Sequence, residues 1–413
     1  MKRVTGLDIG TTKIACLVGE RDERGRTHLL GHAVVPSHGI KKGVIVDVQE
    51  AVNCIQQAVT EAEQSAGHEI EDVLVGVAGS HIRAMNSRGT TTVIDHGQRI
   101  APRDVRGALE AARAIAIPHS QEVIHVVPRG YWIDGSNGVR DPIGLHGYRL
   151  DVEAHIVTAA SNALKTYERV CEEAGLSARA FVLEPLASGE AVLTEDEREM
   201  GVVLVDIGGG TTDVSIFLEG AVWHTASIPV GGNHLSHDLA VALQCPLPVA
   251  EEIKKRYGYA AADRQLEDGP IDLAGFGDSA QHAPTRREIA EVLSYRVADI
   301  FDLIQLEMKR SAYDGLLPAG LVFCGGSAQL TGLKEAGRDF FELPVRVAAP
   351  HGPSGMADML RNPAYATSVG LLEWGFHHDD SSPNQPLARR NGARSGESWT
   401  QQLRQLLRSL LPN

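Results

Sequence analysis

The chain has no paired cysteines, no long apolar run and no surplus of positive charge. Its five cysteines, Cys16, Cys54, Cys171, Cys245 and Cys324, are odd in number, far apart and never arranged as C-x-x-C. That pattern argues against a disulfide framework and against a zinc site. A reducing compartment is the natural reading, with Cys16, Cys171 and Cys324 as small core residues. No uninterrupted apolar stretch approaches the ~20 residues that span a bilayer, and the N-terminus runs into a strand without the apolar centre of a signal peptide. The expectation is a protein neither secreted nor transmembrane. Acidic residues outnumber basic ones 53 to 39, a formal net charge of −14. Such a surface repels phosphate backbones, so nucleic acid is not an expected partner.

What is present is a chain of 413 residues with 43% hydrophobic content, enough to bury two or three domain cores. Val4 to Glu20 reads as strand, glycine turn, strand, followed by a further strand near Leu29–Val35. Asp47-Val48-Gln49-Glu50 fits a capping box, with Val48, Val52, Ile55 and Val59 at helical spacing and Gly67 as the stop. Between residues 85 and 166 short β-rich runs (Thr91–Ile94, Val123–Val127, Tyr148–Thr158) surround one helix, Pro102–Ile117. This reads as a small α+β unit inserted into a larger domain, 1–84 and 167–200. Helix Asn162–Ala174, strand Ala180–Leu183, helix Pro185–Leu193 and strand Val202–Val205 then alternate, as in a mainly parallel, helix-covered sheet. A second domain spans 201–376, with a more helical part at about 234–310, loop and short strands near Glu267–Ala283, and a buried strand at Ala319–Cys324. Residues 377–397 are too polar to order themselves and read as a linker.

One pattern occurs twice. Val4–Val18 and Val203–Phe217 each run apolar strand, Asp-Ile-Gly, Gly/Thr turn, apolar strand. In Asp8-Ile9-Gly10-Thr11-Thr12-Lys13 and Asp206-Ile207-Gly208-Gly209-Gly210-Thr211-Thr212-Asp213 the glycines let backbone N–H groups approach an anion, and the threonine hydroxyls add donors. An aspartate at the end of each first strand suits Mg²⁺ held through water. Two such turns facing each other would grip a nucleotide triphosphate from both sides. A G-x-x-x-x-G-K-[ST] loop is absent, and Gly208-Gly209-Gly210 lacks the G-x-G-x-x-G spacing of a dinucleotide fold. Ile228-Pro229-Val230-Gly231-Gly232-Asn233 precedes a helix expected near His234, with Asn233 as its cap and its N-terminal amides open to phosphate. Leu321–Ser327 is a buried strand ending in Gly325-Gly326-Ser327, a turn on which a base or ribose can rest.

These motifs resemble the two phosphate motifs and the adenosine motif of the actin, heat-shock chaperone and sugar kinase superfamily. Within it, residues 1–376 are similar to the bacterial cell-division family FtsA, including Asp141-Pro142-Ile143-Gly144-Leu145-His146-Gly147 and Thr194-Glu195-Asp196-Glu197-Arg198-Glu199. The resemblance implies an α/β, actin-like two-domain ATPase fold of duplicated mixed sheets flanked by helices, with the family's small inserted subdomain. It implies that Gly10, Thr11, Thr12, Lys13 and Gly208–Thr212 contact ATP phosphates and that Asp8 and Asp206 hold Mg²⁺. Glu251 with Lys254 or Lys255 would meet ribose and adenine; a solvated helix face with Glu251–Lys255 as an i,i+4 pair explains the same residues. Glu184 occupies the place of a polar residue that positions attacking water, so Glu184 and Asp206 are the catalytic candidates. Any ATPase activity is expected to be weak or regulatory.

At the C-terminus Ser398-Trp399-Thr400-Gln401 fits a capping box, and Trp399, Leu403, Leu406, Leu407, Leu410 and Leu411 share one helical face over 398–411. Arg404 and Arg408 lie opposite, and from Ala388 onward five Arg face one Glu. Such a segment suits the interface of an anionic bilayer, or, alternatively, a groove on protein. By resemblance the chain polymerises at the cytoplasmic face of the inner membrane at the division site, binds the C-terminal peptide of the tubulin-like protein FtsZ through the 234–310 region, and recruits other division proteins. A small-molecule kinase on the same fold gives no reason for that tail. A chaperone-type ATPase needs a peptide-binding domain, and only residues 377–413 follow.

Overall fold

The computed structural model of the chain describes residues 2–378 except 95–97, 262–268, 270, 272–283, 314, 356 and 357. The expected linker beyond His378, the amphipathic segment Ser398–Leu411, and Glu267–Ala283 apart from Gly269 and Ile271 lie outside the described residues.

The chain opens with β1 (Lys2–Ile9), β2 (Lys13–Arg21) and β3 (Thr27–Pro36), then a short ribbon, β4 (Ile40–Lys41) and β5 (Val44–Ile45). Helix α1 (Val48–Ala66) follows. Asp47 accepts from the Glu50 N–H at its start, and left-handed Gly67 ends it. Ala51, Val52, Ile55, Ala58, Val59 and Ala62 form its buried stripe. After β6 (Asp72–Val77) the chain leaves the sheet for β7 (Ile82–Thr92), α2 (Pro102–Arg113), β8 (Gln121–Ile133), β9 (Ser136–Val139) and β10 (Arg149–Ala160). It returns through α3 (Ser161–Glu173), β11 (Ser177–Leu183) and α4 (Glu184–Val192).

A short helix α5 (Glu195–Met200), capped reciprocally by Thr194 and Glu197, leads into the second half. That half comprises β12 (Val202–Ile207), β13 (Thr212–Leu218), β14 (Ala221–Ile228), α6 (Gly232–Ala242), α7 (Leu247–Tyr257), α8 (Arg286–Ser311), β15 (Leu321–Cys324), α9 (Leu333–Phe341), β16 (Val345–Val347) and α10 (Ala366–His377).

The two five-stranded sheets are copies of one topology, β11-β6-β1-β2-β3 and β14-β13-β12-β15-β16 read in opposite directions. In each, the first three strands pair antiparallel and the remaining pairs are parallel. The alternating stretch does not form the one mainly parallel sheet expected: β11 pairs parallel with β6 in the first sheet, β12 lies in the second, parallel to β15 and antiparallel to β13, and the motif hairpins make each sheet mixed.

β12 is buried along its whole length, which is why it reads as an unbroken apolar run. Val203, Val205 and Ile207 face one core, and Val202 and Leu204 face the other, where α4 and α10 pack between the sheets. The inserted strands form a separate sheet, β7-β10-β8-β9, covered by α2 and with its own core around Val105, Leu109, Leu150 and Val152. Its strands run from Ile82 to Ala160, so residues 85 and 166 fall inside β7 and α3. All five cysteines are buried and unpaired, and burial pushes the Cys16 thiol up to about 12.

Candidate functional site

The duplicated sheets place their motif turns alike. Gly10 N–H donates to the Lys13 carbonyl at 3.0 Å, and Gly208 N–H donates to the Thr211 carbonyl at 2.9 Å. In both hairpins four residues connect the last paired positions, Ile9 with Ile14 and Ile207 with Thr212. The turns face each other closely: a Cβ built on Gly210 would lie 2.6 Å from Thr11 Oγ1 and 3.0 Å from the Lys42 backbone. Only glycine permits that approach. Gly209 lies in the same way against Thr12.

The remaining motif segments converge on the second turn. Gly232 N–H donates to the Gly208 carbonyl at 2.9 Å, Asn233 N–H to the Gly209 carbonyl at 2.8 Å, and Ser327 Oγ to the Gly208 carbonyl at 3.0 Å. The Thr212 hydroxyl donates to the Val230 carbonyl at 2.8 Å. Gly325 has φ +85°, and a Cβ there would sit 2.6 Å from the Ile207 carbonyl oxygen and against Asp206, so the adenosine-type turn is pressed onto the end of β12. Gly326 and Ser327 begin a 3-10 turn, Gly326–Gln329.

Two sequence expectations change here. Helix α6 starts at Gly232, with Gly231 as its cap residue, so Asn233 lies in the first turn and does not cap it. Its amides are not open either, because the first two donate to the carbonyls of Gly208 and Gly209. The physical reason is that the second turn supplies backbone acceptors where an N-cap side chain would otherwise be needed.

Glu251, Lys254 and Lys255 on α7 separate in role. Lys254 Nζ donates to the Gly232 carbonyl at 3.1 Å and to Ser236 Oγ at 2.8 Å, and pairs with Glu251 Oε2 at 2.6 Å. Lys255 is 60% exposed, 3.5 Å from Glu251. So Lys254 and Glu251 belong to the site rim, and Lys255 occupies the solvated face.

At the centre lie the carboxylates. Asp8 is buried and its Oδ2 accepts from Ser368 Oγ at 2.6 Å. Burial raises its pKa, Lys13 and Ser368 oppose this, and Asp206 adds to it. Asp206 is buried too, its Oδ2 accepting from Ser188 Oγ at 2.6 Å and Thr367 Oγ1 at 3.1 Å. Glu184 opens α4, and its carboxyl is raised well above the usual range by burial and then by Asp8, Asp213 and Asp206, against the pull of Lys13. Lys13 Nζ lies 5.2 Å from the centre of the Tyr365 ring.

Three contributors were not singled out in the sequence. Asp213, the last residue of the second motif, is buried and pushed up to about 7, chiefly by burial, with Ser227 and Thr211 hydrogen bonds opposing and Asp206 adding. Its Oδ1 has no hydrogen-bond partner among the described residues. Its signal was its place opposite Asp206 in the β12–β13 register. Ser188 and Ser368 carry no motif of their own.

The arrangement fits an anion with a hard cation. Backbone-rich turns and Lys13 suit phosphate, and the orphaned Asp213 oxygen, opposite Asp206 in the β12–β13 register, suits Mg²⁺ with its retained water shell. Among the described residues no three or more acidic, His or Cys side chains form a direct metal cage.

Comparison with known proteins agrees with this architecture. A family profile described as cell division protein FtsA matches residues 203–370, and one described as the SHS2 domain inserted in FtsA matches residues 79–158. The chain is 44% identical over 375 residues to the cell division protein FtsA of Pseudomonas aeruginosa, covering 91% of this chain and 89% of that one. It is 34% identical over 414 residues to FtsA of Escherichia coli K12, covering 98% of both. Among solved structures, a chain of the PilM-PilN type IV pilus biogenesis complex superposes with a TM-score of 0.65 at 15% identity, covering 91% of this chain and 99% of its own. MreB5 of Spiroplasma citri bound to ADP does so with 0.54 at 16%, covering 92% and 99%. These likenesses show an actin-like ATPase fold.

Proposed function

This chain belongs to the FtsA family of cell division proteins, and we propose that it is an ATP-switched polymer that tethers the FtsZ ring to the cytoplasmic membrane. The observation that carries the ATP part is the face-to-face approach of the Thr11–Thr12 and Gly209–Gly210 turns beside Asp8, Asp206 and Asp213. The solved neighbour MreB5, bound to ADP, supports the same reading.

In this reading the Gly10–Lys13 and Gly208–Thr211 turns hold the β- and γ-phosphates from opposite sides, with backbone N–H groups and Lys13 as the donors. Asp8, Asp206 and Asp213 would hold Mg²⁺ through water, and the ion supplies charge neutralisation at the phosphate oxygens. Glu251 and Lys254, pinned to the first turn of α6, border the ribose and base side together with Gly325–Ser327. Glu184 orients water toward the terminal phosphate, and its raised pKa makes it a group that takes a proton readily. Because both halves contribute to the grip, occupancy sets the angle between them. An angle that changes with occupancy can switch subunit contacts in a filament.

Membrane attachment rests on the sequence of 398–411, where Trp399, Leu403, Leu406, Leu407, Leu410 and Leu411 would enter the interface of an anionic bilayer. Arg404 and Arg408 would meet its headgroups. No helix among the described residues is long and apolar enough to cross a membrane. The helical part of the second domain, α6 to α8, is the surface we assign to the FtsZ C-terminal peptide, with later division proteins as further partners. The site of action would be the cytoplasmic face of the inner membrane at the division plane.

Titration with a fluorescent ATP analogue tests the premise. The parent should bind in a Mg²⁺-dependent manner, and Asp206→Asn should lose most of that dependence. Equal, Mg²⁺-independent binding by both would remove the aspartates from the site.

A further inference from the structure

The inserted unit is covalently part of the first domain, between β6 and α3, yet its sheet lies against the edge strand of the second. Alternate residues of β14, Trp223, Thr225 and Ser227, share one face of that strand. Each makes a contact with the first domain or its insert.

The outermost contact is Arg129 of β8. Its guanidinium lies 3.8 Å from the Trp223 ring centre, donates to the Tyr313 hydroxyl at 2.9 Å and pairs with Glu153 at 3.1 Å. The Arg129 side chain is only 2% exposed. Trp223 and Tyr313 meet edge to face at 4.7 Å, closing an aromatic box around the cation.

The middle contact is His155 of β10. The buried ring bridges Asn86 Oδ1 on β7 at 2.7 Å and Thr225 Oγ1 at 2.9 Å. Burial holds the imidazole near pKa 3, so it is neutral, with Nδ1–H donating to Asn86 and Nε2 accepting from Thr225. The innermost contact is Ser227, whose Oγ accepts from Gly79 N–H at 2.9 Å and which lies directly opposite Asp213 in the β13–β14 register.

One strand thus connects contacts on the insert with Ser227, the cross-strand neighbour of Asp213 in the candidate nucleotide site. Any rotation of the second domain that parts the two phosphate turns carries β13 and β14 with it, and must pull Trp223, Thr225 and Ser227 off their partners.

We propose that the inserted unit is a brace that gates nucleotide release, gripping the second domain through the Trp223–Thr225–Ser227 face of β14. Arg129 and His155 are its positioning residues; neither touches nucleotide. Displacing the insert, as a protein docked on it could, would speed exchange, and by linkage a change in nucleotide occupancy would shift how the insert is held. The idea rests on the ATP reading above.

The test is the release rate of a fluorescent ATP analogue from the full-length chain, chased with excess ATP, for the parent, Arg129→Met, Thr225→Val and Tyr313→Phe. Thr225→Val and Tyr313→Phe each delete one hydroxyl, so they report even where Arg129→Met fails to fold. Leu109→Ala, in the separate core of the insert, is the control for general loosening. We expect release to speed up on the order of tenfold in Arg129→Met and about threefold in Thr225→Val and Tyr313→Phe. Leu109→Ala should lower the unfolding temperature without matching those rates. Parental rates in the folded brace variants overturn the brace while leaving the ATP reading intact, as does a rate in Leu109→Ala equal to theirs. A parent that binds no analogue overturns both.

Discussion

Ser368 Oγ donates a 2.6 Å hydrogen bond to Asp8 Oδ2, joining residues 360 positions apart in the chain. Ser188 makes a bond of the same length to Asp206 Oδ2. The two are crosswise: α4, which follows the last strand of the first sheet, reaches the aspartate of the second, and α10, which follows the last strand of the second sheet, reaches the aspartate of the first. The internal duplication therefore extends past the turns to the helices between the sheets.

The serines should differ in weight. Asp206 keeps Thr367 as a donor when Ser188 is removed, whereas among the described residues Ser368 is the sole side-chain donor to Asp8. Ser368→Ala should cost about 1–3 kcal/mol, the usual range for stranding a buried polar group, and Ser188→Ala less. Urea unfolding of both variants checks this, and a larger loss in Ser188→Ala contradicts it.

Asp213 gives a pH dependence with a definite sign. Its folded-state pKa, pushed up to about 7, exceeds the ordinary carboxylate value of 3.8. The folded state therefore holds this proton more tightly than the unfolded state. That contribution is complete below pH about 4, falls as pH rises, and is gone above about 7. Without nucleotide, the parent should lose stability relative to Asp213→Asn by about 1.4 kcal/mol per pH unit between 5 and 6.5. Parallel stability–pH curves for the two proteins would show that Asp213 does not titrate in this window.

Sequence legibility followed the range of the interactions. The β1–β2 and β12–β13 hairpins were readable because apolar runs flank Gly/Thr turns, and α1 because its cap, stripe and Gly67 stop are local. β7 was mostly missed. Strand Thr91–Ile94 was expected, but Ile82–Thr92 forms, and polar or charged side chains on its outward positions hide its alternation. The start of α6 shifted because its acceptors are carbonyls of Gly208 and Gly209, which no local pattern reveals. Lys254 and Lys255 differ by a rotation of one residue around α7, and only packing against α6 decides which turns inward. Ser188 and Ser368 were illegible for the same reason, since their partners are set by tertiary crossing.

Glu184 should matter for turnover and little for affinity. Glu184→Gln keeps a hydrogen-bonding side chain but cannot accept a proton, so phosphate release should fall at least about tenfold while analogue affinity stays within about threefold. A malachite green assay beside a binding titration separates the two. Unchanged release in the variant removes Glu184 from the chemistry.

The tail prediction is independent of the nucleotide site. Leu407→Asp puts a charge among the apolar residues whose spacing predicts one helical face over 398–411, and co-sedimentation with vesicles rich in phosphatidylglycerol should drop to near background. Pelleting equal to the parent would assign the segment to a protein groove.

The most direct test of the central claim, that the paired turns at Asp8 and Asp206 form an ATP switch for assembly on membrane, is electron microscopy on anionic lipid monolayers. With Mg²⁺ and ATP the parent should form filaments on the lipid, Asp206→Asn should form few, and Leu407→Asp should leave the monolayer bare. Filaments equally abundant in the parent and in Asp206→Asn, with or without ATP, would contradict it.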